Sequence, residues 1–307
     1  MIELLSQAFN DILTLQNFLF LSMGVVFGTV MGAIPGLTSA MAIALLIPVT
    51  YQLPPITAII MLLGAYKGGC YGGSIPAILI GTPGTPAAAA TVDDGYSLAK
   101  QGKSGKALRM ALVASVIGDS TSDIVLILTA AQLARVALKF GPPEYTVLII
   151  FALTMVSAAA QGSFIKGIIS ALLGMLLSMV GVDPITGRSR FAFGSLELTA
   201  GMELVPVLIG LMAISEILFQ VEKRKSAAKK IHLPPPKTPD DAGLTISEVL
   251  ANLKTIIKSA FTGITVGIIP GMGPTVGAYL SYMFARNSSK KPSEFGKGSL
   301  EGVAAAE

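Results

Sequence analysis

The chain has 307 residues, 52% of them hydrophobic and 13% charged, with 33 glycines, no tryptophan and a mean hydropathy of +0.71. Soluble domains carry about 25% charged residues, so this balance reads as an all-α polytopic membrane protein. One cysteine, Cys70, and one histidine, His232, leave no room for a disulfide framework or a cysteine metal cluster and argue against a histidine-based metal or triad site; the net charge of +4 sits in loops flanking apolar spans and calls for no nucleic-acid partner.

Taken in chain order, Met1 to Leu15 lacks the basic stretch of a cleaved signal peptide. Crossing the hydrocarbon core takes about 20 apolar residues. The candidate spans are 15–34, 56–80, 107–138 (one long span or a broken pair), 144–161, 164–182, 203–220 and 256–270. Residues 37–50 are too short to cross; bounded by Pro35, Gly36 and Pro48, they read as the second half of a broken or re-entrant helix. A further Gly/Pro break follows at 72–96, where two Thr-Pro steps flank Gly84. The basic, proline-rich stretch 222–241 reads as an extended cytoplasmic connector. Three regions are expected: 1–220, the first transmembrane repeat and the helices after it; 221–244, the cytoplasmic linker; and 245–307, the incomplete start of a second repeat.

The repeat is short and specific. "GTVMGAIPGLTSA" at 28–40 and "GITVGIIPGMGPT" at 263–275 align Gly28, Gly32, Ile34, Pro35 and Gly36 with Gly263, Gly267, Ile269, Pro270 and Gly271. Small residues every fourth position let helices approach, and Pro-Gly ends a helix. The plainer alternative is a pair of packed helices that end alike. Counting spans from the linker places 100–109 in the cytoplasm and the N-terminus outside. The first copy then enters from outside and the second from the cytoplasm, an inverted repeat with Gly/Pro-broken, re-entrant helices.

Broken helices expose backbone N–H groups that attract anions and carbonyls that hold cations. The expected substrate site comprises Pro35, Gly36, Thr38 and Ser39 at the first break and Pro270, Gly271, Gly273 and Thr275 at the second. Ser74, Gly81, Thr82, Pro83, Gly84 and Thr85 add the third break, and Lys67 a positive charge. Asp119 and Asp123, four apart on one helical face, are the ion-coupling candidates; a charge at mid-membrane costs about 2.5–3.5 kcal/mol, so both are expected to face protein or water, with Lys67 or hydroxyl groups as neighbours. The alternative for "GDSTSD" (118–123) is a polar turn splitting the span.

The stretches "GAIPGLTSAMAIALLIPVTY", "YGGSIPAILIGTPGTPAAAATVDDGYSLAKQGKSGKAL", "FGPPEYTVLIIFAL", "VGVDPITGRSRFAFG", "VPVLIGLMAISEIL" and "KKPSEFGKGSLEGVAA", in this order, resemble the large membrane (permease) subunit of the tripartite tricarboxylate transporters. Members of that family are longer, so the chain reads as an N-terminal fragment of about three fifths. The resemblance implies no enzyme but a secondary transporter in the bacterial inner membrane. It would take up small organic carboxylates, tri- or dicarboxylates, with a small membrane subunit and a periplasmic solute-binding protein, and without cofactor beyond Na+ or H+ as coupling ion. The family's Pro-Gly signatures fall on Pro35 and Gly36, Pro83 and Gly84, and Pro270 and Gly271. Competing readings are a non-transporting scaffold subunit and an anion channel; an intramembrane protease lacks the required residue pairs.

Overall fold

The computed structural model describes residues 12–137, 164–183, 186–202, 243–268 and 273–307, with scattered positions between 139 and 241. Most of the expected spans 144–161 and 203–220, most of the linker, and Pro270 and Gly271 lie outside the described residues.

Among the helices that lie wholly within the described residues, the first three are α1 (Leu15–Ala33), α2 (Ser39–Thr50) and α3 (Pro55–Ile80). Glycine sets how α1 meets α3. A Cβ on Gly24, Gly28 or Gly32 would collide with the carbonyl of Met61, Ala65 or Gly69, and one on Gly68 or Gly72 with that of Val25 or Thr29. The contacts advance by four on both helices, so α1 and α3 run parallel with backbones touching. Opposite this seam, Phe18, Leu19, Met23, Val26 and Val30 are exposed. Small residues inside and large apolar ones outside invert the soluble pattern and suit a helix whose solvent is lipid.

The chain reverses between α1 and α2. Ile34 leaves helical geometry, and Gly36 takes φ +95°, a value that L-residues avoid. Thr38 then caps α2, its Oγ1 accepting from Met41 N at 3.3 Å. Ser39, at the start of α2, lies against Gly69 and Cys70, whereas Leu46 packs on Met61 and Ala65. α2 therefore descends antiparallel to α3. Its 12 residues extend about 18 Å, too short to cross, as the sequence predicts for this re-entrant segment.

α3 ends at Gly81 (φ +69°), and residues 82–88 fold back until Gly84 N donates to Gly73 O at 3.0 Å. α4 (Ala89–Lys100) and α5 (Ser104–Ala137) follow. α5 is one continuous helix, which removes the broken-pair alternative. The hydroxyls of "GDSTSD" do not compete with the helix: Thr121 donates to Ile117 O at 2.7 Å and Ser122 to Asp119 O at 2.8 Å, bonds compatible with helical backbone. Lys67 of α3 pairs with both aspartates and offsets one of their two charges. α5 runs antiparallel to α3, since Tyr71 OH reaches Leu108 O at 3.5 Å while Lys67, earlier in α3, meets Asp119 and Asp123.

α6 (Phe164–Ser178) is followed by a two-stranded antiparallel ribbon, β1 (Gly181–Val182) with β2 (Ser189–Arg190), and by the short α7 (Leu196–Thr199). α8 (Ile246–Ile268) starts at a capping box, Thr245 N donating to Glu248 Oε2 at 2.9 Å and Glu248 N to Thr245 Oγ1 at 3.4 Å. Glu248 also accepts from Lys106 Nζ at 2.7 Å, and Ile256 packs with Met110, Ala111 and Ala114. α8 is therefore parallel to α5 and opposite to α1. α9 (Gly273–Ser288) folds back on α8, with Ser281 Oγ donating to Ser259 O at 3.3 Å and Gly277 facing Gly263. The two Gly-x3-Gly helices thus head opposite hairpins that run in opposite directions, the arrangement expected of inverted repeats. A 3-10 turn (Pro292–Glu294) and α10 (Leu300–Ala306) complete the described fold.

Candidate functional site

Three helical stripes converge. On α3 the face beside the glycine seam carries Lys67, Tyr71 and Ser74; on α5, spacings of three and four align Ser115, Asp119 and Ser122; on α8 they align Ser259, Gly263 and Gly267. All nine border one cavity of about 740 Å³, which Val25 and Thr29 of α1 and Gly273 of α9 also line.

Charge is concentrated at two places. Lys67 Nζ donates to Asp119 Oδ2 and to Asp123 Oδ2, each at 2.7 Å. Because the aspartates are one turn apart, a single ammonium reaches both, leaving one negative charge in excess. The three side chains keep 37%, 44% and 51% of their surface accessible, so this group opens onto the cavity instead of being sealed in packing. The second place is Glu307. Its Oε1 accepts from Ser74 Oγ at 2.5 Å and from Thr91 Oγ1 at 2.8 Å, and its Oε2 accepts from Ser115 Oγ at 2.8 Å. These donors come from α3, α4 and α5, and Ser74 and Thr91 are 2% and 1% exposed, so the oxygen cluster belongs to the packed wall. Among the described residues no three His, Cys, Asp or Glu side chains gather to hold a metal ion.

The comparisons agree with the geometry. Residues 18–307 match the family described as the tripartite tricarboxylate transporter TctA family. The chain belongs to that family. It is 36% identical over 310 residues to an uncharacterized 52.8 kDa protein in the TAR-I ttuC' 3' region of Agrobacterium vitis, covering 100% of this chain and 60% of that protein. A second Agrobacterium vitis relative, an uncharacterized protein in the TAR-II ttuC' 3' region, is 44% identical over 45 residues, 15% of this chain and 19% of its own length. The chain therefore spans about three fifths or less of the curated relatives it matches. No solved structure matches it. TctA proteins are transporter components, not enzymes, and the all-α membrane fold suits that class.

In this TctA chain the expected site residues divide. Lys67, Ser74, Asp119, Asp123 and Gly273 line the cavity. Thr38 and Ser39 do not border it: the Thr38 hydroxyl is committed to the α2 cap, and Ser39 Oγ lies 3.7 Å from Cys70 Sγ, behind the cavity wall. Pro35 and Gly36 form the reversal above them. The third break packs beside the first, because a Cβ on Gly84 would collide with Gly32 O and Gly73 lies directly against Thr85. Thr82 N donates to Pro76 O at 3.3 Å, Gly81 lies against the Tyr96 ring, and Pro83 completes the turn. Thr85 is buried, and its hydroxyl has no hydrogen-bond partner among the described residues. Thr275 sits in the first turn of α9, half-buried. Pro270 and Gly271 fall outside the described residues. Sequence reasoning did not single out Thr91, Ser115 or Glu307, although an acidic residue ending the small, apolar run "EGVAAAE" was a usable signal.

Proposed function

We propose that the full-length protein is the permease subunit of a tripartite transporter that takes up small organic carboxylates, tri- or dicarboxylates, driven by a Na+ or H+ gradient. It acts as a multi-pass protein of the bacterial inner membrane with a small membrane subunit and a periplasmic solute-binding protein. Residues 1–220 form the first repeat and following helices, 221–244 the cytoplasmic linker and 245–307 the start of the second repeat.

The observation that carries this reading is the cavity between oppositely directed, broken hairpins, with Lys67 as the basic side chain among its described lining residues. Secondary transporters place substrate and coupling-ion sites between such repeats. Lys67 offers the carboxylate a positive charge, Gly273 (φ +64°) opens the backbone at the head of α9, and Asp119 and Asp123 respond to the coupling ion. Family membership supports the same reading.

The test is uptake of a panel of labelled carboxylates by cells expressing the full-length protein with its partner subunits. Gly36→Val is expected to abolish uptake at unchanged membrane levels, since a β-branched residue does not fit φ +95°, and Gly271→Val is expected to do the same as its counterpart in the repeated sequence. Normal uptake in both variants would overturn the assignment of the breaks to the transport path.

A further inference from the structure

α5 fixes the level at which the membrane begins. Its 34 residues extend about 51 Å, well beyond the roughly 30 Å of the hydrocarbon core, so one end stands outside. Lys106 and Arg109 mark that end, and exposed apolar side chains follow at Leu112 and Val116. The interface therefore crosses α5 near residue 110. Ile256 of α8 packs beside Met110, Ala111 and Ala114, which brings Lys258 to the same level. The polar end of α9, Asn287 and Ser288, arrives there as well, because the hairpin folds back with Ser281 against Ser259.

At this level a groove of about 510 Å³ runs between α8 and α9, on the side away from the large cavity. Phe261 and Phe284 line it about one turn deeper than Lys258 and Asn287. The two phenyl rings belong to residues 54% and 57% exposed, a surface that suits acyl chains and not water. Lys254 and Lys258, one turn apart on the exposed face of α8, have no carboxylate within ion-pairing distance among the described residues. The carboxylate of Glu301 is engaged elsewhere, accepting from Thr255 Oγ1 at 2.8 Å and from Ser289 Oγ at 2.6 Å. Lys106, at the same end of the bundle, is by contrast paired with Glu248. The groove thus presents positive charge and an amide at the interface and aromatic rings below it. A phospholipid has the complementary profile, a phosphodiester above two acyl chains, and two ammoniums without a carboxylate favour an anionic headgroup over a zwitterionic one.

We infer that the groove between α8 and α9 holds one anionic phospholipid, its phosphodiester accepting from Lys258 and Asn287 and its acyl chains lying on Phe261 and Phe284. Lys254 adds attraction from one turn further out. The lipid bridges both arms of the second hairpin at the interface, where the described contacts between the arms, at Ser259 and Gly263, lie deeper. Its binding is independent of which carboxylate the protein carries.

Native mass spectrometry of the purified full-length protein in detergent, titrated with phosphatidylglycerol or with phosphatidylcholine of identical acyl chains, tests this. One saturable phosphatidylglycerol adduct is expected, at least about tenfold tighter than phosphatidylcholine and weakened at least about tenfold by Lys258→Gln, the loss of a charge-assisted hydrogen bond. Lys258→Arg is expected to bind nearly as the parent does. Arg188→Gln, which removes the same charge on the exposed ribbon, is expected to bind identically. Should Lys258→Gln fail to fold by gel filtration, Asn287→Ala decides, with a loss of about threefold or more expected. Equal affinity for the two lipids, parental affinity in the folded Lys258 or Asn287 variant, or an equal loss in Arg188→Gln would each overturn the site. Displacement of the adduct by glycerol phosphate at the lipid's own concentration would overturn the lipid and make a soluble phosphate ester the occupant. Loss of the adduct on assembly with the small membrane subunit would overturn it in favour of a contact between subunits.

Discussion

Tyr282 donates its phenolic hydrogen to Asp94 at 2.8 Å, linking the second hairpin to α4 across 188 positions of sequence. The other oxygen of the same buried carboxylate accepts from Gly296 N, Gly298 N and Ser299 N at 2.8, 2.9 and 2.8 Å. Asp94 thus holds the loop that leads into α10, and through α10 it positions Glu307. Gly302 gives the carboxylate room, since a Cβ there would strike Asp94 Oδ2. Replacing Asp94 with Ala strands three backbone donors and a phenol and is expected to cost about 3–5 kcal/mol, the range for breaking a buried charged network. Tyr282→Phe removes one bond and is expected to cost about 1.5–3 kcal/mol. Thermal unfolding of the solubilised full-length protein checks the order; a larger loss for Tyr282→Phe than for Asp94→Ala would contradict it.

The glycine seam makes a position-specific prediction. Gly28→Ala forces α1 away from Ala65 O and is expected to destabilise by about 1–3 kcal/mol, as overpacking does. Gly174→Ala, on α6 with open space around it, is expected to be neutral or to stabilise by up to about 1 kcal/mol through helix propensity. Fluorescence-detected gel filtration after graded heating compares the two, and equal behaviour would refute close α1–α3 packing.

Lys67 and the aspartates are expected to act as a unit. Lys67→Ala leaves two uncompensated carboxylates beside the cavity and is expected to reduce carboxylate uptake by at least about tenfold, whereas neutralising Asp119 in the same chain recovers part of the folded yield. A double-mutant cycle on membrane level and uptake measures the coupling. Strict additivity would show that the 2.7 Å contacts carry no energy.

The pH dependence of the Lys106–Glu248 contact has a definite sign. Burial pushes the Glu248 carboxyl up, but the Lys106 ammonium and the Thr245 backbone and hydroxyl donors outweigh it and hold the group below its ordinary value of 4.5. A depressed carboxyl contributes stability above that ordinary value and loses it as pH falls through the lowered one. The carboxylate is about one-third exposed, so solvent screening keeps the contribution near or below about 1 kcal/mol. Glu248→Gln is expected to lower thermal stability slightly at neutral pH and to converge with the parent in acid; a difference that grows on acidification would reverse the sign.

Much of the architecture follows from rules that act between near neighbours. Apolar runs, small residues at every fourth position and Pro-Gly stops specify helices, close contacts and reversals within a few residues, so the membrane class and the first hairpin were legible without coordinates. The Lys67 contact to Asp119 was legible for another reason: charges inside apolar spans must be compensated, and few partners exist. Tertiary structure alone decided the rest. Nothing local shows whether the Thr38 hydroxyl will cap α2 or face a ligand, or that α5 tolerates "GDSTSD" without breaking. Ser74, Thr91 and Ser115 reach Glu307 across 233, 216 and 192 positions, and hydroxyl residues are too common in such a chain for sequence to say which will meet. Only the packing of α3, α4 and α5 against α10 selects them, because a carboxylate removed from water binds whatever donors the fold brings within reach.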